Sequence, residues 1–317
     1  MHSKRKARRN VYRWVAAGPL LALLAVLLWA WPYMAITEPS GAKVLVVEGW
    51  MDPPALEEAA RLALDSGYSK VYTTGTVRPF AHYLGPGEAV VTRMAMPAKG
   101  NLAVDVSGID GAGFLLIADN DTVLDQAVTA EPTLYHAVAP HPVDSLRIQA
   151  WPMHSRVTGP EIFVRILEVG GWNVNVLQRD SRYIHADGKA EPAPSTFAHS
   201  AMDALVRMGV PADRITAVPA YGDPRSRSWG NAHAFGIQAA KDGITAFDVA
   251  TTGVHARRSR NLFRLACGEQ TNVGVIALTD PYCTRSNWWK SRRGWGTLLK
   301  EVFGAGEAQA VEVKKWR

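Results

Sequence analysis

The residues with the clearest potential for chemistry follow a predicted buried strand near residue 250. The stretch TTGVHARRSRNLFRLA, residues 251–266, places His255 and Arg258 near the start of a predicted helix. Basic residues at a helix N-terminus oppose the helix dipole, which favours negative charge there. A bound anion would offset this cost, although the arginines are equally compatible with exposure to solvent. His255 is the candidate acid or base, because imidazole titrates near neutral pH, and Arg258 is a candidate anion ligand.

Further candidates lie in segments that are distant in the chain but follow other predicted strands. In open α/β sheets, ligands bind beyond the carboxyl ends of the strands. Small and hydroxyl-bearing residues occupy several such places, and they are suited to holding an anion through N–H and O–H groups. The candidate ligand-binding residues are Gly49, Arg61, Thr74, Gly75, Ser228, Asn231 and Arg258. Asp223 is a second candidate catalytic residue. The alternatives are helix capping for Asn231 and a solvent-exposed position for Arg61.

The elements that must position these residues predict an interrupted α/β domain. Residues 42–77 contain a continuous apolar run, an amphipathic helix and a second strand, which form one βαβ unit. Residues 78–180 show only short alternating runs between Gly, Pro, Asn and Asp clusters, which predicts an inserted β-sandwich. Helices and strands alternate again within residues 181–317. We therefore expect a three-layer, Rossmann-like parallel sheet with an inserted, carbohydrate-binding-like sandwich.

The N-terminus predicts a membrane anchor. Residues 14–37 carry no charge, and this stretch is long enough to cross a bilayer as a helix. Residues 1–13 hold six basic residues and no acid. Because positive flanks remain in the cytoplasm, we expect a single-pass bacterial inner-membrane protein with its C-terminal domains in the periplasm. A cleaved signal peptide is the alternative. The six basic residues account for the whole net charge of +6, so the pI of 9.3 does not indicate nucleic-acid binding.

Several other classes of site find no support in the sequence. There is no Walker loop, Gly-x-Ser-x-Gly, His-Glu-x-x-His or Cys-x-x-Cys motif, and no glycine-rich first loop typical of nucleotide-binding Rossmann domains. We predict no cofactor and no metal. Cys267 and Cys283 are the only cysteines, and a disulfide between them stays open at this point.

The ordered segments VLVVEGW, TTG, GVPADRI, SWGNA and TTGVHARRS resemble the SanA/ElyC/YdcF family, envelope-associated bacterial α/β proteins of unknown function. The resemblance covers about residues 43–75 and 194–277. The matching positions are Gly49, Arg61, Thr74–Gly75, Gly209–Pro211, Ser228–Asn231 and His255–Arg258–Ser259. The chain departs from the family at Val218, where relatives carry an acidic residue, and Asp223 is the nearest substitute.

The insert resembles xylan-binding carbohydrate modules in its closing sequence IFVRILEVGGW and in its order of strands. This resemblance implies sugar binding through aromatic side chains, for which Tyr135, Trp151 and Trp172 are the candidates. Core packing is the alternative for each of them. The modules bind calcium through aspartates in a loop that here reads AWPMHSRVTGPE and contains no Asp, which disfavours calcium.

Together these features predict a membrane-anchored periplasmic protein of cell-envelope or exopolysaccharide metabolism. Its expected ligand is an anionic glycan or a polyprenyl-linked sugar phosphate. Whether the protein is also a hydrolase that acts on the glycan or the phosphate ester stays open. The alternative is a non-catalytic protein that tethers polysaccharide through the insert. No protein partner is indicated.

Overall fold

The computed structural model of the protein describes residues 18, 29–77, 82–152, 160–173, 181–194, 196–221, 227–280 and 283–301. In chain order the elements are β1 (Val44–Glu48), α1 (Pro53–Asp65), β2 (Lys70–Thr76), β3 (His82–Leu84), β4 (Ala89–Ala98), β5 (Asn101–Gly108), β6 (Gly113–Ala118), β7 (Asp121–Ala127), β8 (Thr133–Val138), β9 (Val143–Ala150), β10 (Ile162–Val169), β11 (Trp172–Asn173), β12 (Ser181–Ile184), β13 (Ala190–Pro192), α2 (Phe197–Arg207), β14 (Ile215–Ala220), α3 (Arg227–Lys241), β15 (Ala246–Thr252), α4 (Ala256–Cys267) and β16 (Asn272–Leu278). Short 3-10 turns occupy Ala212–Arg214, Gly253–His255 and Trp288–Lys290, and residues 29–34 and 292–301 are helical.

Five strands form the predicted parallel sheet, in the order β14–β2–β1–β15–β16. The chain proceeds outward from β1 in one direction through β2 and β14, and in the other through β15 and β16. The direction of winding therefore reverses between β1 and β15. Ligands of open α/β sheets bind in the crevice at this reversal, outside the carboxyl ends of the strands.

The helices of this domain form where the sequence places their apolar stripes and caps. In α1, the buried side chains include Ala55, Leu56, Ala59 and Ala60, at the spacing of one helix face. Thr196 caps α2 by accepting a hydrogen bond from the His199 N–H at 3.2 Å. These stripes pack on a core of buried strand residues.

Strands β3 to β13 form two antiparallel sheets, which confirms an antiparallel β insert between the two parts of the α/β domain. One sheet has the order β11–β10–β5–β8, with β3 also paired to β10, and the other has the order β13–β12–β4–β9–β6–β7. Buried side chains such as Leu102, Phe114 and Ile148 share a core of their own. The second sheet also includes β12 and β13, so its strands extend along the chain to Pro192. These strands are short and have few apolar residues, so the sequence pattern hides them.

The insert also packs against the α/β domain through aromatic residues. Tyr83 and Phe163 are buried in the core that β1, α1 and α2 share. Their rings stack with centroids 4.2 Å apart, and Phe163 also contacts Phe197 at 6.0 Å. The Tyr83 hydroxyl donates to the carbonyl oxygen of Gly49 at 3.0 Å, directly after β1. The insert is therefore joined to the edge of the sheet where ligands are expected.

The predicted N-terminal anchor falls largely outside the described residues, which include only residues 18 and 29–37 of that span. Within the described part of the chain, no helix has the length and apolar character needed to cross a membrane. Residues 29–37 contact the α/β domain, where Met34 is buried against Val254 and Trp288. The basic tail, residues 1–13, and residues 302–317 also lie outside the described residues. Cys267 and Cys283 are both free thiols, so the disulfide left open above is not formed.

Candidate functional site

A cavity of about 210 Å³ opens at the carboxyl ends of the parallel strands. Its walls combine residues from the first strand's loop, from β2, from the insert, from four helical segments and from the turn after β15. The described residues that line it are Trp50, Thr76, Arg165, Phe197, Arg227, Ser228, Asn231, His255, Arg258 and Lys300. Four of the predicted site residues therefore meet in one place: Ser228, Asn231, His255 and Arg258.

The fold explains why these four residues meet. Ser228 and Asn231 lie in the first turns of α3, which follows β14, whereas His255 and Arg258 follow β15. Both strands run parallel to β1, so their carboxyl ends share one edge of the sheet. Residues that are more than 20 positions apart in the chain therefore lie close together.

A fully buried carboxylate, Glu301, holds two of the cavity residues in place. Its Oε1 lies 2.8 Å from His255 Nδ1 and accepts a hydrogen bond of 3.0 Å from Arg258 Nη2. Burial by itself would raise the pKa of Glu301, but the imidazole and the guanidinium outweigh burial and lower the pKa to about 2. Because Nδ1 faces Glu301, Nε2 is the nitrogen of His255 that remains for a ligand.

Glu301 is a site residue that the sequence analysis missed. It lies in the helical segment 292–301, to which the sequence analysis assigned no role in the site. The available signal was its charge, because Glu301 is the only acidic residue between Arg285 and Lys314 apart from Glu307 and Glu312 near the end of the chain. An acid on the helix that follows a basic, tryptophan-rich segment indicates an internal partner.

Asn231 presents an unsatisfied polar atom at the cavity. Its side chain is 2% exposed, and its Oδ1 has no hydrogen-bond partner among the described residues. A buried acceptor that makes no hydrogen bond costs about 1–3 kcal/mol. A ligand hydroxyl or amide that donates to Oδ1 would remove this cost.

Four permanent cations line the cavity, and no carboxylate is among its described lining residues. Two of them are held by carboxylates behind the wall: Arg258 by Glu301, and Arg165 by Asp52. The other two, Arg227 and Lys300, have exposed side chains, and neither forms an ion pair with any residue that the structure describes. The cavity surface is therefore suited to a negatively charged group.

Aromatic rings complete the wall on the side of the insert. Phe197 is buried at the N-terminus of α2, and Trp50 directly follows β1. The Trp50 ring meets the His255 ring edge to face, with centroids 4.8 Å apart. Trp50 and Glu301 therefore both contact the imidazole.

Gly49, Thr74 and Gly75 lie at the expected strand ends but are not among the residues that line the cavity. A Cβ on Gly49 would lie 2.5 Å from the Phe197 carbonyl oxygen, and a Cβ on Gly75 would lie 2.4 Å from Phe197 Cβ. These glycines let the N-terminus of α2 approach the sheet. Thr74 is fully buried in β2, and its neighbour Thr76 reaches the cavity instead.

Arg61 does not meet His255 and Arg258, which corrects the geometry expected from the sequence. The apolar stripe of α1 faces the sheet and turns Arg61 outward, where its side chain is exposed. Arg61 lines a different, open cavity together with Glu57, Glu58 and Asp110. Asp223, the other predicted catalytic residue, lies outside the described residues.

The three aromatic candidates of the insert lie away from the cavity and differ in exposure. The Tyr135 hydroxyl donates to the Ala127 carbonyl oxygen at 3.1 Å, and its ring packs on Phe114. Trp151 donates from Nε1 to Asp125 at 2.9 Å and packs over Gly113. Trp172, in contrast, is 81% exposed.

Sequence reasoning also missed lining residues on either side of the predicted ones. Thr76 and Arg227 are neighbours of predicted residues, and Trp50 was placed after the first strand without a role in the site. Phe197 and Lys300 gave no distinguishing pattern. Arg165 lies within the insert, which was not expected to contribute to the α/β site at all.

Comparisons with known proteins return little similarity. No family model and no curated protein matches the chain. One solved structure, described as the EclA C-terminal domain and a sugar-binding protein, is 15% identical with a TM-score of 0.19, over 29% of this chain and 72% of that one. Another, a family two carbohydrate esterase from Cellvibrio japonicus, is 10% identical with a TM-score of 0.19, over 72% of this chain and 77% of that one. TM-scores this low establish neither a common fold nor a common function.

Proposed function

We propose that the cavity binds the anionic sugar group of an envelope glycan or of a lipid-linked sugar phosphate. The observation that carries the proposal is the combination of four cations with the unpaired Asn231 Oδ1 in one cavity. Cations recognise a phosphate or carboxylate, which only accepts hydrogen bonds. Asn231 Oδ1 needs a donor, and a sugar hydroxyl supplies one. A phosphorylated or carboxylated sugar satisfies both requirements.

The size and walls of the cavity support a small ligand group. Its volume of about 210 Å³ is below the roughly 300–1,000 Å³ of sites for drug-sized ligands. A single charged sugar unit fits this size better than an extended oligosaccharide does. Trp50 and Phe197 offer apolar surface for the face of a sugar ring.

Hydrolysis of the bound group is the reaction for which the site has suitable residues. In a phosphate ester, water would attack phosphorus while the bond to the leaving oxygen breaks, and His255 would deliver a proton to that oxygen. Glu301 contacts the imidazole, while Arg258 would stabilise charge on the phosphate oxygens. In this hypothesis Asp223 remains the second candidate catalytic residue.

The membrane location is part of the proposal as well. Its support is the uncharged stretch that follows the basic N-terminal tail. The end of this stretch contacts the start of α4, because the Tyr33 carbonyl oxygen accepts a hydrogen bond from Arg257 and the Tyr33 ring lies 4.1 Å from its guanidinium carbon. An anchored protein would hold the cavity close to lipid-linked ligands of the periplasmic leaflet.

Binding can be tested with the two exposed cations, whose replacement breaks no described ion pair. We expect Arg227→Gln with Lys300→Gln to weaken binding of glucose 1-phosphate to the full-length protein about tenfold or more, measured by titration calorimetry. The matched control is Lys241→Gln with Lys290→Gln, which removes two exposed charges elsewhere. Glucuronate and detergent-solubilised polyprenyl phosphate distinguish carboxylate and lipid-linked ligands, and glucose is the neutral control. Wild-type protein that binds no anionic probe more tightly than glucose would overturn the proposal.

Tethering of polysaccharide through the insert is the second candidate function, favoured by Trp172 alone. Its exposed ring is available for stacking on a sugar, unlike Tyr135 and Trp151. This function predicts that Trp172→Ala abolishes retention of the protein on insoluble polysaccharide, whereas Arg227→Gln with Lys300→Gln leaves it unchanged. The reverse pattern favours the cavity.

A further inference from the structure

Arg165 is the one described side chain by which the insert reaches the α/β cavity. It lies on β10, a strand of the antiparallel insert, and it lines the cavity together with His255 and Arg258. All other described lining residues come from the α/β domain and the C-terminal helix. The contribution of the insert is therefore concentrated in a single charged group.

A local irregularity in β10 places Arg165 in this position. The pairing of β10 with β5 shifts register between Val164 and Ile166, so that Arg165 lies at a β-bulge. Bulges redirect a side chain and are common beside functional sites. In a regular strand, successive side chains point to opposite faces of the sheet. The bulge interrupts this alternation at Arg165.

Partners from both parts of the molecule then fix the guanidinium. Arg165 Nη2 contacts Asp52 Oδ1, and Nη1 donates to the Ser107 hydroxyl at 3.0 Å. Ser107 in turn donates to Asp52 Oδ1 at 2.9 Å, and the guanidinium carbon lies 4.8 Å from the centre of the Phe163 ring. The Arg165 side chain is only 14% exposed, so its position is well defined.

The Asp52 side chain contacts Arg165 and does not cap its own helix, α1. Asp52 occupies the N-cap position of α1, where the sequence predicts a capping side chain, but it forms no side-chain cap hydrogen bond there. A cap contributes about 1 kcal/mol. Its carboxylate instead holds Arg165 from the α/β side.

We propose that Arg165 is a ligand-binding residue, and that the anionic group of the ligand is held jointly by guanidinium groups from the insert and from the α/β domain. This inference rests on the proposed function of the cavity. Arginine has five N–H donors, and the contacts with Asp52, with Ser107 and with Asp105, whose Oδ1 lies 3.7 Å from Nη1, leave others for an anion. The insert then acts as one wall of the binding site and selects for charge, a role that is separate from any sugar binding by its aromatic residues.

Two substitutions separate ligand binding from a purely structural ion pair, because both break the same Arg165–Asp52 contact. Arg165→Met removes the proposed ligand contact, whereas Asp52→Asn keeps the guanidinium, which Ser107 and the Phe163 ring still hold. We expect Arg165→Met in the full-length protein to weaken binding of glucose 1-phosphate roughly ten- to a hundredfold, and Asp52→Asn to retain it. Arg165→Lys should recover only part of the affinity, since it keeps the charge but loses the planar fork.

The outcomes distinguish this inference from the proposed function. Equal losses of affinity in Arg165→Met and Asp52→Asn, or unchanged affinity in Arg165→Met, would overturn the role of Arg165 while the cavity proposal stands. If Arg165→Met unfolds, Arg165→Lys gives the decision, because affinity equal to that of wild type would contradict the bidentate contact. Wild-type protein that fails to bind glucose 1-phosphate would overturn both, and calorimetry on glucose corrects for non-specific binding.

Discussion

At the scale of single residues, the site depends on a buried carboxylate that contacts two cavity side chains. Glu301 is fully buried, and its charge is compensated by Arg258 and His255. Breaking a buried pair by removing one partner is destabilising, because the remaining charge has no compensation. His255 and Arg258 therefore owe their positions to a residue that never reaches the ligand.

This arrangement predicts a pH-dependent loss of stability in Glu301→Gln. The pKa of Glu301 falls from 4.5 to about 2 on folding, so its stabilisation is fully present above pH 4.5 and is lost as the pH falls towards 2. The shift corresponds to about 3 kcal/mol at pH 7. Urea unfolding should show that deficit for Glu301→Gln at pH 7 and a much smaller one near pH 2.5.

The control for this measurement is Glu269→Gln, an exposed carboxylate at the end of α4. It should change the free energy of unfolding by less than about 0.5 kcal/mol. A Glu301→Gln deficit that is the same at pH 7 and pH 2.5 would contradict the assignment of the stabilisation to the charged carboxylate.

At the scale of the elements, two glycines decide how closely α2 approaches the parallel sheet. The sequence analysis assigned Gly49 and Gly75 to the ligand, because small residues at strand ends commonly expose N–H groups. The structure gives them a packing role, since any Cβ at Gly75 would lie 2.6 Å from the Ala198 backbone nitrogen. A glycine pattern alone does not distinguish a helix that packs closely from a ligand that binds closely.

We therefore expect Gly75→Ala to destabilise the protein by about 1–3 kcal/mol through overpacking, measured by urea unfolding. Gly296→Ala is the matched control, because Gly296 is helical and a Cβ added there would meet no atom of another segment within 4 Å. It should stabilise the protein by about 0.5–1 kcal/mol. Equal effects of the two substitutions would show that the close contact between α2 and the sheet does not limit this position.

Elements with strong periodicity were predictable from the sequence, whereas irregular ones were not. The parallel strands, the α1 stripe and the Thr196 cap follow from apolar spacing and capping chemistry. The outward direction of Arg61 depends on the rotation of α1 about its axis, which tertiary packing sets. The bulge at Arg165 depends on the pairing of β10 with β5, and pairing between strands far apart in the chain leaves no local signal.

At the scale of the whole molecule, the two parts of the α/β domain and the insert build one cavity. The α/β parts could be joined from the sequence because their strands alternate with helices and their motifs are ordered along the chain. The C-terminal helix, which supplies Lys300 and Glu301, and the insert, which supplies Arg165, gave no sign of meeting there. Residues that are far apart in the chain therefore line one cavity in the folded protein.

The most direct test of the central claim is a crystal structure of the full-length protein with glucose 1-phosphate. We predict that the phosphate lies within hydrogen-bond distance of Arg258 and at least one of Arg165, Arg227 and Lys300. A sugar hydroxyl should lie within hydrogen-bond distance of Asn231 Oδ1. Density for the ligand at another site, with the cavity at the carboxyl ends of β1 and β15 holding only water, would contradict this account.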